Sequence, residues 1–211
     1  MSDFHTALDL VGTFLFAVSG AANAVLRKLD VFGVLVVAFI SANCGGILSD
    51  LLVGVTPPSA INDWRYVAAC VLAGLISFYW FGLVERMKSP VLIFDALGLG
   101  LFSVEGAHQA LHHDLSPVAA VIVGMLTGIG GGVARDVLLR QVPAVFQGEV
   151  YAVASLAAAA IVVLGTAARW PSEALSVLGT AVCFGLRYFA MTRGWAHAPS
   201  RHAPQEEASE L

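Results

Sequence analysis

The chain has 211 residues, of which 58% are hydrophobic and only 12% charged, and its mean hydropathy is +0.80. A soluble domain carries about twice that share of charge, so water is not the main solvent of this chain. A formal net charge of -4 and a pI near 5.8 leave no basic stripe for nucleic acid.

Five stretches free of Asp, Glu, Lys and Arg occupy residues 10–26, 31–49, 66–84, 115–134 and 150–168. Each is close to the roughly 20 residues that a spanning helix needs. Two further apolar segments are interrupted: residues 91–111 contain Asp95 and Glu105, and residues 174–191 contain Arg187. Taken in order, the chain is predicted to be an all-α integral membrane protein with seven transmembrane helices. Prolines punctuate the breaks: Pro57 and Pro58 follow the second span, Pro90, Pro117 and Pro171 precede the fourth, fifth and seventh, and Pro143 follows the fifth. Proline lacks an N–H and restricts the residue before it, which suits helix ends.

Loop charge sets an orientation. With the N-terminus outside, Arg27, Lys28, Arg86, Lys88, Arg140, Arg193 and Arg201 lie inside, against Arg65 and Arg169 outside. Cytoplasmic loops hold the basic excess, so N-out and C-in is expected, in a cell (inner) membrane. No basic segment precedes the first span, so no cleavable signal is read there. Cys44, Cys70 and Cys183 sit in three different spans without C-x-x-C spacing and are read as packing residues; no cofactor is expected.

The chain also contains a duplication. Sliding the sequence by 86 positions aligns residues 9–57 with 95–143 without a gap, and 15 of those 49 positions are identical, among them Asp9, Gly12, Phe16, Gly20, Gly45, Gly46, Asp50 and Pro57. Three spans fall within one offset, and an odd number of crossings inverts the second copy in the membrane. The expected organisation is a first repeat at 1–85, an inverted second repeat at 86–168, a seventh helix at 169–192 and a polar cytoplasmic tail at 193–211.

Glycine is concentrated at matching places, Gly45-Gly46 in the second span and Gly128 with Gly130-Gly131-Gly132 in the fifth. Each costs a helix about 1 kcal/mol relative to alanine, so both helices are expected to kink or open and to offer freed backbone carbonyls near Gly45 and Gly131 to a monovalent cation. Close helix packing through Gly128-x-x-x-Gly132 is the simpler alternative. Helical spacing puts Gly128, Gly132 and Asp136 on one face and Thr127, Gly131 and Arg135 on the next; the first copy gives Ala42, Gly46 and Asp50 beside Ser41, Gly45 and Ser49. Charged groups within spans normally face a protein interior or water, which makes Asp50, Arg135 and Asp136 candidate path residues, with an interfacial capping role as the alternative. Glu105, the most central ionisable residue of its span, is read either as a path residue or as a protonated packing residue.

These residues resemble the TRIC family, the trimeric intracellular cation channels, in its prokaryotic branch. The family pattern is a glycine triplet followed two residues later by Arg-Asp, once per repeat, and Gly130-Gly131-Gly132-Val133-Ala134-Arg135-Asp136 matches it. The first copy departs from it, with Cys44 in place of the first glycine and Ser49 in place of the arginine. The resemblance covers the chain to about Thr192 and implies homotrimers, a separate pore in each subunit, and permeation by potassium and other monovalent cations. The same inverted repeat would also suit a secondary transporter of a small solute such as an amino acid. An enzyme is not expected: His112, His113, His197 and His202 lie at a helix end or in the tail, Cys183 has no histidine nearby in sequence, and no Lys-Ser or Lys-Thr follows the glycines as in a nucleotide loop.

Overall fold

The structure is a computed structural model that describes residues 3–82, 90–146 and 150–193. Residues 83–84 of the third predicted span, the basic residues Arg86 and Lys88, and the tail with His197, Arg201 and His202 lie outside the described residues. Eight helices are described: α1 (Asp3–Leu26), α2 (Val31–Val53), the short α3 (Ser59–Asn62), α4 (Trp64–Tyr79), α5 (Pro90–His112), α6 (Pro117–Leu138), α7 (Tyr151–Ala167) and α8 (Ser172–Arg193). No strand occurs among the described residues. Helices α1, α2, α5, α6 and α8 are long and apolar enough to cross a membrane, whereas α4 and α7 are apolar but shorter, at 16 and 17 residues. At 1.5 Å per residue these two reach about 25 Å, a little under a typical hydrocarbon core.

The helix ends repeat as the sequence does. Asp30 caps α2 by accepting the Gly33 N–H at 2.8 Å, and Ser116, 86 positions on, caps α6 by accepting the Ala119 N–H at 3.3 Å. Left-handed residues beyond the helix ends are paired in the same way: Lys28 after α1 with Asp114 after α5, and Gly54 after α2 with Arg140 after α6. One orphan carbonyl at each helix end is satisfied by this turn, which is why the conformation survives where glycine does not. Helix α4 begins at Asp63, whose exposed carboxylate accepts the Arg65 N–H at 2.9 Å; that bond and the Arg65 guanidinium hold the carboxyl below its usual range.

Two units form: α1, α2 and α4 pack together, as do α5, α6 and α7, and the units meet through α1 on α5 and α2 on α6, with α8 against α5 and α7. Both joints are antiparallel about their repeat mates. His5 meets Glu105 at one end of the α1–α5 pair, and the Ser19 hydroxyl donates to the Val91 carbonyl at the other. The mates Phe16 and Phe102 stack between them, ring centroids 5.4 Å apart. In the α2–α6 joint a methyl on Gly45 would fall on the Thr127 carbonyl oxygen, and one on Gly131 would fall on that of Ser41. Ser41 and Thr127 are themselves repeat mates, so the two contacts exchange under the 86-residue offset.

This geometry corrects the expectation of broken helices. Helices α2 and α6 run without interruption through both glycine runs, and their carbonyls stay in the helical ladder instead of being freed for an ion. Glycine is needed at Gly45 and Gly131 because the two backbones touch there, as in close-packed membrane helices. Around the joints the core is small-residue packing, with Ala17, Ala21, Ala38, Ala42, Ala107 and Ala158 all buried, while Phe32, Trp64, Val118 and Leu164 face outward.

Candidate functional site

Between the two units lie two buried polar clusters, one on each side of the α2–α6 crossing. The first, at the end carrying His5, surrounds a cavity of about 50 Å³ whose lining includes Asp9, Asn43, Gly46, Asp50, Tyr66, Glu105 and Thr127. Through Ser59, Glu105 and Gln109 it adjoins a wider cavity of about 480 Å³ that His5, His108, His112, His113 and Glu173 also line. Three carboxylates border the small cavity, and none of its lining residues is Lys or Arg.

Each carboxylate is held by a neutral partner or a histidine. The Gln109 amide donates to Asp50 Oδ1 at 2.5 Å and accepts the Ser49 hydroxyl at 2.9 Å. The Ser59 N–H donates to Asp50 Oδ2 at 2.6 Å, tying the start of α3 to α2. The Tyr66 hydroxyl donates to Asp9 Oδ2, and His5 Nδ1 lies 2.9 and 3.0 Å from the two Glu105 oxygens. Each of these carboxylates is thus kept by at least one hydrogen-bond partner, as a carboxylate taken out of bulk water requires.

The second cluster, at the opposite end, is ionic. Arg135 Nη1 donates to Asp95 Oδ1 at 2.6 Å and to the Ser19 hydroxyl at 3.0 Å, and its Nε donates to Asp136 Oδ1 at 2.9 Å. Asp136 also accepts the Ala144 N–H at 3.1 Å, a tether like that of Ser59 on Asp50 but one residue out of register with the 86-residue offset. Arg187 of α8 approaches Asp95 Oδ2 to 3.5 Å and lies 4.4 Å over the Tyr151 ring. Arg135, Asp95, Asp136 and Arg187 are each at most 5% exposed, so this cluster is shielded from solvent.

The predicted site residues therefore divide three ways. Glu105, Asp50, Gly46 and Thr127 line the small cavity, with Ser49 beside them on Gln109. Arg135 and Asp136 belong to the ionic cluster, with Gly132 against the Tyr151 hydroxyl. Ser41, Gly45, Gly130 and Gly131 go into the crossing, where the Ser41 and Thr127 hydroxyls donate to the Val37 and Val123 carbonyls of their own helices, each at 2.6 Å. Sequence reasoning missed Asp9, Asn43, Tyr66 and Gln109 at one end and Ser19, Asp95, Tyr151 and Arg187 at the other as site residues. The identity of Asp9 and Asp95 across the repeat was the signal for two of them, and the charge within the last span for Arg187. Among the described residues no cluster of His, Cys, Asp and Glu could hold a metal ion.

Comparison with known proteins agrees with the duplicated architecture. A family model described as glycine transporter matches twice, over residues 6–81 and 92–167, two segments that are themselves 86 positions apart. The chain is 36% identical over 200 residues to a UPF0126 membrane protein of Deinococcus radiodurans, covering 94% of this chain and 92% of that one. It is 32% identical over 188 residues to the UPF0126 inner membrane protein YadS of Escherichia coli, covering 87% and 90%. Among solved structures, it is similar to a TRIC trimeric intracellular cation channel orthologue from Rhodobacter sphaeroides, with a TM-score of 0.86, 31% identity and coverage of 90% of this chain and 98% of that one. A structure described as the basis for conductance through TRIC cation channels superposes with a TM-score of 0.83 at 32% identity, covering 94% and 98%.

Proposed function

The chain belongs to the TRIC family of membrane proteins, in its prokaryotic branch, and from that premise we propose that it is a channel for monovalent cations, potassium among them. The path runs inside one subunit, from the histidine-lined vestibule through the small cavity and past the α2–α6 crossing to the Arg135 cluster. Seven spans carry it, arranged as two inverted repeats plus α8, with α4 and α7 completing the count. The N-out, C-in orientation is part of the same reading, favoured by seven basic residues against two, and so is the homotrimer, favoured by the likeness to trimeric TRIC channels.

The observation that carries the proposal is the charge of the small cavity. Asp9, Asp50 and Glu105 face one enclosed space with Tyr66, Gln109, Asn43 and Thr127 and no basic lining residue. Such a lining attracts cations and repels anions, and exclusion of bulk water lengthens the reach of each charge. The Arg135 cluster at the far end, buried and internally paired, corresponds to a closed state in which its ion pairs must part for ions to pass.

A second reading, transport of a small amino acid, is favoured by the description of the matching family model as a glycine transporter. A zwitterion needs a cationic or N–H partner for its carboxylate as well as an acid for its ammonium; the small cavity has no cationic lining residue, and its N–H groups on Gln109, Asn43 and Ser59 are already given to Asp50, to Phe39 and Cys70, and to Asp50. Recordings from the purified chain in a planar bilayer separate the two. Ohmic single-channel currents with potassium selected over chloride support the channel; saturable, gradient-coupled glycine uptake without unitary currents would overturn it. A reporter in the 59–63 loop should lie on the opposite side of the membrane from one after Leu211.

A further inference from the structure

Arg187 stands outside the duplication. It belongs to α8, which has no counterpart at the 86-residue offset, yet its guanidinium reaches into the second unit, 3.5 Å from Asp95 Oδ2 and 4.4 Å over the Tyr151 ring. The repeat mate of Asp95 is Asp9, and its partner is a neutral hydroxyl, that of Tyr66. The same ancestral carboxylate is thus left uncompensated at one end of the path and bound by two guanidiniums at the other.

The balance at the Arg135 end depends on this contribution. Asp95 and Asp136 supply two negative charges, and Arg135, bonded to both, supplies one positive. Only Arg187 brings the four-residue cluster to neutrality. It is buried to 2% exposure among these groups, where water screens weakly and one unpaired charge acts over the whole cluster. The face it uses is the carboxylate oxygen that Arg135 Nη1 leaves open, so the two arginines clamp Asp95 from both of its oxygens.

Resting on the path described above, we propose that Arg187 is a positioning residue that sets cation throughput from outside the duplicated unit, by cancelling the residual negative charge of Asp95 at the closed end and holding that carboxylate on Arg135. Loss of its charge leaves a net negative lining that draws cations into the Arg135 end and frees one side of Asp95 to move. Loss of the Asp95 charge instead leaves the end net positive and opposes cations.

The test is single-channel recording of the full chain in planar bilayers, in dilute and in concentrated potassium chloride, on the parent, Arg187→Gln, Asp95→Asn, the double variant and Arg187→Lys. Arg187→Gln should raise conductance in dilute salt by about twofold or more and by less in concentrated salt, where screening is strong. Asp95→Asn should lower it, the double variant should return towards the parent, and Arg187→Lys should conduct like the parent. If both single variants move the current in the same direction and the double variant goes further, Arg187 serves packing and the proposal is overturned. If Arg187→Gln does not assemble, Asp95→Asn and Arg187→Lys still decide: a current that ignores the first or falls with the second sinks it. A parent that passes no current in either salt removes the channel reading itself, whereas a conducting parent with unmoved variants removes only this inference.

Discussion

The two ends of the inter-unit space descend from the same sequence and now differ in kind. At the His5 end, Asp9 and Asp50 rest on a tyrosine, a glutamine and a backbone N–H; at the other, their mates Asp95 and Asp136 rest on Arg135. Within the aligned repeat the charge that separates them is at one position, Ser49 against Arg135, and Arg187 adds a second from outside it. A hydroxyl leaves a carboxylate's charge standing and the space beside it hydrated, whereas a buried guanidinium removes both. The difference teaches that a duplication supplies two equivalent ends, and that a few side chains then decide which end keeps carboxylates without a basic neighbour and which is ion-paired.

The comparison breaks most readily at Arg135. Arg135→Gln should leave Asp136 without a guanidinium and Asp95 with Arg187 alone, destabilising the fold by about 3–5 kcal/mol, read as a lowered unfolding temperature in detergent, while Glu105→Gln, which removes a charge beside a single histidine, should cost far less. Equal losses would mean that the two ends are held alike. Next in size are the crossing glycines: Gly45→Ala and Gly131→Ala should each cost about 1–3 kcal/mol by overpacking, and by similar amounts because their contacts exchange under the repeat. Gly46→Ala meets nothing within 4 Å of the added carbon and should fold normally while narrowing the small cavity, so its effect should appear in conductance alone.

The remaining variants sharpen the contrast instead of breaking it. Ser49→Arg builds the sealed end's arginine into the open end, next to Asp50 and Gln109, and should lower cation conductance several-fold in dilute salt, with recovery in concentrated salt. Asp136→Asn loosens the Ala144 tether and, like Asp95→Asn, leaves the Arg135 end net positive, so it should lower the current in dilute salt; an unchanged current would show that this end does not act on ions through its charge. Smallest is Tyr66→Phe, which removes one donor from Asp9 at a cost of about 1 kcal/mol, measurable as a modest shift in thermal unfolding.

Much of this was legible in the sequence, because the bilayer imposes long apolar runs and the duplication imposes an exact spacing. The helices, their proline breaks and the mate pairs Gly45 with Gly131 and Asp50 with Asp136 all follow from those two constraints. The glycine runs were misjudged for a physical reason: low helix propensity is a property of an isolated helix, whereas at Gly45 and Gly131 the missing side chains are filled by the neighbouring backbone and the helix stays whole. The partners of Asp9 and Asp95 were not legible either. Tyr66 and Arg187 are distant in sequence from the acids they serve, and no local periodicity reports a contact between helices.

One consequence reaches back before the present chain. The contacts of Gly45 with Thr127 and of Gly131 with Ser41, like the stacking of Phe16 on Phe102, describe a surface that fits its own upside-down image. A half-length precursor with that surface could close on a second copy inserted the opposite way, and each of its residues would then have had to serve on both sides of the membrane at once. Joined in one chain, the two halves would be released from that obligation, and Glu105 against Ser19, Arg135 against Ser49 and Arg27 against His113 are positions where they differ.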